Sequence, residues 1–406
     1  MNKYEKIKNI LTSQEKFHIS LGLERILKIL ELLKNPQKKL KIIQVAGTNG
    51  KGSTCRLLAE ILILSGYKTA LYTSPHIYKY NERIKINGEN ISDEEFLNYI
   101  EKIDKLAQKN NINLTEFELL TAIAFCYFAD KKADIAILET GLGGRFDATN
   151  VCEKNLFSII TSISKDHTER LGKTIKKIAF EKAGIIKKNC SVIISKSNKG
   201  FKVIEEIANK VNSQIYLADK KIKVLFNNGT NYAVFNGKKH EFSLMGLYQK
   251  ENLKLVLKAV EILKQNGFEI ENEKISDALK IANWQCRFEW HKDKNLVVDG
   301  AHNPSGTKKL RESLDYYFPN QKIIWIYGTL KNKDYIQNMK NLFRKNDEIY
   351  YFEFDERCLK YKEFKKYYPK GHNFMDNNDI FQSDNLKVVA GSLYMPEYLK
   401  SESLFK

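Results

Sequence analysis

The sequence predicts an α/β protein in which a domain with a mostly parallel sheet is followed by a smaller doubly wound α/β domain. Three observations support this prediction. A glycine-rich turn, 47–54, separates an apolar run from a helical pattern. Apolar runs then alternate with helical patterns up to about residue 218, and the alternation resumes near residue 296. Buried strands separated by helices are typical of crossover units in a parallel sheet.

The turn has the composition of a phosphate-binding loop and reads Gly47, Thr48, Asn49, Gly50, Lys51, Gly52, Ser53, Thr54. Glycines let consecutive backbone N–H groups face an anion, and the start of the following helix adds partial positive charge. Lys51 would reach the outer phosphates, and the hydroxyl of Ser53 or Thr54 could hold Mg²⁺. We therefore expect a P-loop NTPase-like domain that binds a nucleoside triphosphate.

This loop departs from the common phosphate-loop pattern in two places. Val45 stands where a glycine is usual, and Gly52 separates Lys51 from the first hydroxyl. The alternative interpretation is a plain glycine turn at a strand end with a solvated lysine.

The remaining elements follow from periodicity and from turn residues. In the first domain, strands are predicted at 68–73, 133–139, 156–163 and 191–195, and helices at 93–109, 116–131, 175–185, 203–211 and 251–265. Asn-Gly turns within 222–242 predict hairpins. In the second domain, strands are predicted at 296–299, 323–328, 349–354 and 386–390, and helices at 305–317 and 335–344. The predicted domains are 1–285 and 286–406.

Polar clusters follow three of the predicted strands, namely 73–76, 139–147 and 164–167. Ligands of open parallel sheets collect at such strand ends. A hydroxyl from Ser74, a carboxylate from Glu139 and an imidazole from His167 form a set that can hold Mg²⁺ against substrate phosphates. Alone, Ser74 could be a turn or cap residue and His167 a helix cap, whereas a carboxylate at a buried strand end such as Glu139 needs a partner.

The composition excludes several classes of protein. No apolar run is long enough to cross a membrane and the N-terminal residues lack a signal-peptide pattern, so we expect no membrane association and a cytoplasmic location. Six scattered cysteines predict reduced packing residues. The net charge of +18 is spread along the chain, including helix faces with Lys173, Lys177 and Lys182, rather than gathered in one basic arm. We interpret it mainly as a solvated surface, and the alternative is a field that attracts polyanionic small substrates.

Nine blocks together resemble folylpolyglutamate synthase and its bifunctional dihydrofolate synthase forms, in the Mur ligase superfamily. These blocks are 47–53, 73–76, 82–84, 115–118, 139–145, 147–150, 181–185, 299–304 and 391–394. The resemblance implies an ATP-dependent ligase that joins the amine of L-glutamate to dihydropteroate or to the γ-carboxyl of a folate. The implied intermediate is an acyl phosphate, and the products include ADP and phosphate.

The resemblance also implies roles for individual residues. Ser53 or Thr54 with Glu139 would hold one Mg²⁺ ion, and Ser74, Glu139 and His167 a second. Lys182 would be carbamylated, although its pattern alone suggests a surface helix lysine. Residues at ATP-binding positions beyond the loop are Asn252, Arg287 and Asp299. Those expected to bind pterin are Thr115, Phe117, Glu118 and Asp147, near 22–25, and those expected on the glutamate side are His302, Asn303 and Ser392.

Two departures and two alternatives accompany the resemblance. Tyr248 stands where the family usually has histidine, and Phe146 where leucine is common. A Mur-type cell-wall peptide ligase shares the fold plan, but it carries a further N-terminal domain for which residues 1–40 are too few. The other alternative is a nucleotide-switched protein that binds nucleic acid. We expect small-molecule substrates, no nucleic-acid partner and a monomer.

Overall fold

The computed structural model describes residues 2–15, 22–376 and 378–401. The chain divides into two compact units: residues 1–221 with 251–278, and residues 222–250 with 279–406. The second unit thus takes in the hairpin segment, which the sequence analysis assigned to the domain 1–285. The boundary proposed at 285/286 stays a prediction.

An eight-stranded sheet forms the centre of the first unit. Its strands are β1 (Ile42–Ala46), β2 (Thr69–Tyr72), β3 (Ile84–Ile86), β4 (Glu89–Asn90), β5 (Ile135–Glu139), β6 (Phe157–Ile160), β7 (Ser191–Ile194) and β8 (Ile215–Leu217). The order is β4-β3-β2-β5-β1-β6-β7-β8. Six strands are parallel, whereas β3 and β4 form an antiparallel edge that the sequence analysis did not predict.

Within the described ranges, ten α-helices lie between residues 3 and 281. They are α1 (Lys3–Glu15), α2 (Glu24–Leu32), α3 (Lys51–Leu64), α4 (Asp93–Lys109), α5 (Glu116–Asp130), α6 (Thr168–Leu171), α7 (Ile175–Lys182), α8 (Phe201–Lys210), α9 (Gln249–Gln265) and α10 (Asn272–Ile281). Side-chain caps define several starts, because Ser92, Thr115 and Thr174 each accept a backbone N–H three residues ahead. The mostly parallel α/β prediction is confirmed.

The second unit contains two sheets. A three-stranded antiparallel sheet consists of β9 (Lys223–Asn227), β10 (Thr230–Phe235) and β11 (Lys238–Glu241). The other sheet has the order β12-β13-β17-β14-β15-β16, with β12 (Glu289–His291), β13 (Leu296–Asp299), β14 (Ile323–Tyr327), β15 (Glu348–Tyr351), β16 (His372–Asn373) and β17 (Leu386–Ala390). All its pairs are parallel except the edge pair of β12 with β13.

Four helices accompany this unit: α11 (Pro304–Tyr317), α12 (Tyr335–Leu342), α13 (Tyr361–Tyr367) and α14 (Met395–Ser401). The core of the unit is rich in aromatic side chains, with Trp325, Tyr351 and Phe364 fully buried. Within the ranges that the structure describes, none of the helices has the length and apolarity that crossing a membrane requires.

The Ser92 cap gives a stability test that is independent of function. Ser92 Oγ accepts the N–H of Glu95 at 3.2 Å at the start of α4. We expect Ser92→Ala to lower the free energy of unfolding by about 1 kcal/mol because an N–H group of the first turn loses its partner. Urea unfolding monitored by circular dichroism measures this change, and Ser92→Asp, which keeps the acceptor, is the control. Equal destabilisation by both variants would contradict the capping role.

Candidate active site

The phosphate loop is tied to the segment that follows β6. Thr48 donates its N–H to Ser162 O at 2.7 Å and its hydroxyl to Ser164 O at 3.1 Å. The Ser162 hydroxyl donates to Asn49 O at 3.0 Å. Ser162 was not among the predicted site residues because the predicted strand 156–163 included it, whereas β6 ends at Ile160.

Two glycines of the loop have positive φ and tightly packed surroundings. Gly47 has φ +152°, and a Cβ there would lie 1.7 Å from Thr161 Oγ1. Gly50 has φ +93°, and a Cβ there would lie 2.2 Å from Asn252 Oδ1. Side chains are therefore excluded at both positions. The second contact also places Asn252, which the resemblance assigned to ATP binding, directly against the loop.

Lys51, Ser74 and Glu139 come together at the ends of neighbouring strands. Lys51 Nζ lies 3.8 Å from Glu139 Oε1, and Ser74 donates its backbone N–H to Glu139 Oε2 at 3.3 Å. Glu139 is 4% exposed, so its charge is balanced by Lys51 rather than by bulk water. The expectation that a buried carboxylate at this strand end needs a partner is met by these two residues.

Lys182 is buried, which corrects the interpretation of this residue as a surface lysine. Only 5% of it is exposed, and its Nζ donates to Gly47 O at 2.7 Å. The last residue of α7 thus contacts the phosphate loop across 135 residues of sequence. Burial, followed by the charge of Lys51, lowers the pKa of Lys182 to about 7. The helical pattern could not reveal this because the burial comes from the loop and not from the helix itself.

The oxygen ligands expected to hold Mg²⁺ include the hydroxyl of Ser53 or Thr54. Ser53 and Thr54 are buried in the first turn of α3 after Gly52, and Thr54 Oγ1 has no hydrogen-bond partner among the described residues. Hydroxyl and carboxylate oxygens are ligands that Mg²⁺ prefers. In the described ranges, no group of three His, Cys, Asp or Glu side chains is placed to hold a metal. The predicted set uses only two such side chains, and it stays a prediction.

His167 sits at the start of α6 with a left-handed backbone, φ +48°. Its ring nitrogens lie 3.9 Å from Asp166 Oδ1 and 3.9 Å from Glu169 Oε1, and its side chain is 42% exposed. Its predicted role as a metal ligand stays a prediction.

Three residues expected to bind pterin lie at the start of α5. Thr115 and Glu118 form a reciprocal cap, in which Thr115 donates its N–H to Glu118 Oε2 at 2.8 Å and accepts the Glu118 N–H at 3.2 Å. Arg25 pairs with the same carboxylate at 3.1 Å through both Nε and Nη2. Phe117 packs so closely on Gly141 that a Cβ there would lie 2.6 Å from the ring.

The Asp147 carboxylate closes the loop that follows β5. It accepts the N–H of Leu142 at 2.8 Å and both the N–H and the hydroxyl of Thr149, at 3.1 and 2.5 Å. Burial raises the pKa of Asp147. The structure thus gives Asp147 a structural role. Its role in binding pterin stays a prediction.

In the second unit, Asp299 and Arg287 lie close to each other. Asp299 Oδ2 accepts the hydroxyl of Tyr248 and the N–H of Phe288, each at 2.8 Å, and Oδ1 accepts the N–H of Ala301 at 2.8 Å. Burial raises the pKa of Asp299, and the charge of Arg287 together with these hydrogen bonds opposes the shift. A Cβ at Gly300 would lie 2.7 Å from Arg287 Nη1, so the guanidinium lies against the backbone beside Asp299.

The three residues expected to bind glutamate all lie in the second unit. His302 Nδ1 donates to Gly300 O at 2.8 Å. Asn303 caps α11 by accepting the N–H of Gly306 at 2.9 Å. Ser392 is buried after β17, and its Oγ accepts the N–H of Tyr394 at 3.2 Å.

Comparison with known proteins first defines the class of protein. Residues 45–260 match the family model described as Mur ligase middle domain, and residues 286–390 match the model described as Mur ligase, glutamate ligase domain. The first of these matches covers more than half of the chain. The chain therefore contains the middle and glutamate ligase domains of the Mur ligase superfamily, and it is an enzyme that forms carbon–nitrogen bonds.

Relatives that match most of the chain then define the family. The dihydrofolate synthase/folylpolyglutamate synthase of Bacillus subtilis is 37% identical over 372 residues, which cover 87% of this chain and 85% of the relative. Folylpolyglutamate synthase of Lacticaseibacillus casei is 36% identical over 77% of this chain and 76% of its own. The chain belongs to the folylpolyglutamate synthase/dihydrofolate synthase family.

Solved structures agree over nearly the whole chain. Folylpolyglutamate synthase of Mycobacterium tuberculosis complexed with ADP and AMPPCP has a TM-score of 0.87 and 25% identity, covering 98% of both chains. A structure described as an FPGS-AMPPCP-folate complex has a TM-score of 0.83 and 30% identity, covering all of both chains.

Gly50 offers a test of the loop geometry with a matched control. Gly50→Ala should abolish nucleotide binding, since the added Cβ meets Asn252 and strains a left-handed backbone. Gly66 has a similar φ of +86°, and a Cβ added there would have nothing within 4 Å, so Gly66→Ala should cost only about 1 kcal/mol of stability. Calorimetric titration with ADP measures the first effect and thermal unfolding the second. Normal ADP affinity in Gly50→Ala would contradict this geometry.

Lys182 predicts a pH dependence of stability with a definite sign. Its folded pKa of about 7 lies below the usual value of 10.5, so between these pH values the unfolded chain binds one more proton than the folded chain. The free energy of unfolding of the unmodified chain, minus that of Lys182→Met, should therefore rise with pH over this window, by at most about 1.4 kcal/mol per pH unit. Urea unfolding from about pH 6 to pH 9 measures the difference, and Lys177→Met on the exposed face of α7 is the control. A difference that does not change with pH would contradict the burial argument.

Proposed function

We propose that this ligase uses ATP to add L-glutamate to dihydropteroate, to the γ-carboxyl of folates, or to both. The observation that carries the proposal is the match along the full chain to folylpolyglutamate synthases solved with nucleotide and with folate, joined to a phosphate loop on which Lys51, Glu139 and Lys182 converge. ATP is the expected nucleotide because two of these structures hold ADP or AMPPCP.

The proposed chemistry has two steps. An oxygen of the substrate carboxylate attacks the γ-phosphorus of ATP, ADP leaves, and an acyl phosphate forms. The glutamate amine then attacks the acyl carbon, phosphate leaves, and the amine loses a proton as the amide forms. ATP is needed because a free carboxylate is a poor acylating agent. Positioning and charge neutralisation contribute most of the acceleration in the first step.

Residues of this chain supply those contributions. The loop N–H groups and the start of α3 bind the phosphates, and Lys51 neutralises charge that develops on the transferred group. Ser53, Thr54, Ser74, Glu139 and His167 are the residues that would hold Mg²⁺. When bound, Mg²⁺ neutralises phosphate charge and orients the phosphoryl group. Thr115, Phe117, Glu118 and Asp147 are proposed for the pterin, and His302, Asn303 and Ser392 for glutamate.

Lys182 is proposed to act as a carbamate. A lysine reacts with CO₂ only as the neutral amine, and burial lowers the pKa of Lys182 to about 7, which makes that form available near neutral pH. The resulting anion would lie beside the Gly47 carbonyl at the loop and would need a cation as its neighbour. Chemical trapping of the carbamate followed by mass spectrometry of the Lys182 peptide tests this point.

Purified protein should convert ATP to ADP only when glutamate and either dihydropteroate or a folate are both present. Lys51→Ala should lower the rate roughly 10²–10³-fold because the transferred phosphoryl group loses its nearest cation. Coupled ADP detection with mass spectrometry of the folate product measures both effects, and Lys109→Ala, an exposed lysine of α4, is the control. ATP turnover driven by a muramyl peptide or by nucleic acid would contradict the proposal. The cytoplasmic location, the monomer and the lack of nucleic-acid binding stay predictions.

A further inference from the structure

Tyr248 is the residue at which this chain departs from the histidine expected by resemblance. It precedes α9, and its hydroxyl donates to Asp299 Oδ2 at 2.8 Å within the second unit. Desolvation of this hydroxyl and the charge of Asp299 raise the pKa of Tyr248 well above its ordinary value. The phenol is thus a neutral, permanent donor to the carboxylate.

The hydrogen bonds of Asp299 define which of its oxygens remains available. An ionised carboxylate can accept about four hydrogen bonds. Here Oδ2 accepts two, from Tyr248 and Phe288, whereas Oδ1 accepts one, from Ala301. One acceptor position remains, on Oδ1.

The same carboxylate holds a strained turn. Cys286 and Phe288 have left-handed backbones, with φ +56° and +50°, on either side of Arg287. Such conformations are unfavourable for residues other than glycine and persist only where neighbours fix them. Here Glu289 accepts the Cys286 N–H at 2.9 Å, and Asp299 accepts the Phe288 N–H at 2.8 Å. The turn presents the guanidinium of Arg287 beside Gly300.

We propose that Tyr248 is a positioning residue for the nucleotide: through Asp299 it holds the turn that presents Arg287. The inference rests on the proposed function, together with the assignment of Arg287 and Asp299 to ATP binding by resemblance. It gives a specific task to a residue that departs from the pattern of the family.

Calorimetric titration of the full chain with ADP tests the inference without requiring turnover. Tyr248→Phe removes the donor and keeps the ring, so the Kd for ADP should rise at least tenfold and the KM for ATP should rise in parallel. The kcat at saturating ATP should stay within about threefold, because chemistry at the phosphate loop is untouched. A merely structural role would not separate KM from kcat in this way.

Two further variants complete the test. Tyr248→His supplies a ring N–H donor and should bind ADP within threefold of the unmodified chain. Tyr361→Phe is the matched control, since Tyr361 is also a partly buried tyrosine of the second unit, and its hydroxyl donates to the Gly371 carbonyl at 3.2 Å. Its ADP affinity should not change.

The inference is overturned if Tyr248→Phe binds ADP within twofold of the unmodified chain. If Tyr248→Phe does not fold, Tyr248→His decides, and a loss of affinity greater than tenfold in folded protein overturns the inference. Failure of the proposed function looks different. In that case the unmodified chain shows no folate-dependent ATP turnover, while the ADP titrations still report on Tyr248.

Discussion

The hydrogen bond from Lys182 to the Gly47 carbonyl is the contact on which the rest of the site depends. It joins α7 to the first residue of the phosphate loop, so the loop is fixed from the side of the helix as well as by Thr48 and the segment after β6. The contact keeps an amine buried close enough to Lys51 for the charge of Lys51 to contribute to the lowered pKa of Lys182. A loop held in this way reorganises little when its ligand arrives, which is the condition under which fixed charges stabilise a transition state best.

Much of the fold could be predicted because the parallel strands are buried on both faces and are separated by helices. The helix 93–109 and the strand 386–390 have the predicted bounds. The edge strands β3 and β4 were missed, since they are only three and two residues long and carry no clear alternation. The helices α1 and α2 were missed as well, although α2 buries Ile26, Ile29 and Leu30 on one face.

The residues of the candidate site also fall into two groups, those that could be predicted from the sequence and those that could not. Lys51, Ser74 and Glu139 could be grouped from sequence because each follows a parallel strand, and the topology of the sheet then brings them together. The burial of Lys182 could not be predicted, because it depends on a neighbour distant in sequence. Nor could the hydrogen bonds of Asp147 and Asp299, whose carboxylates are largely occupied by backbone N–H groups and by side chains near them in space. Residue type alone does not tell how many acceptor positions remain for a ligand.

The distribution of the cysteines has a practical consequence for following motion in this protein. All six cysteines are buried thiols, with Cys55, Cys126, Cys152 and Cys190 in the first unit and Cys286 and Cys358 in the second. A buried thiol reacts with an alkylating reagent only after the surrounding structure opens. The rate at which each cysteine is labelled therefore reports local opening at its own position, and Cys55, four residues after Lys51, would register how strongly a bound ligand suppresses opening of the phosphate loop.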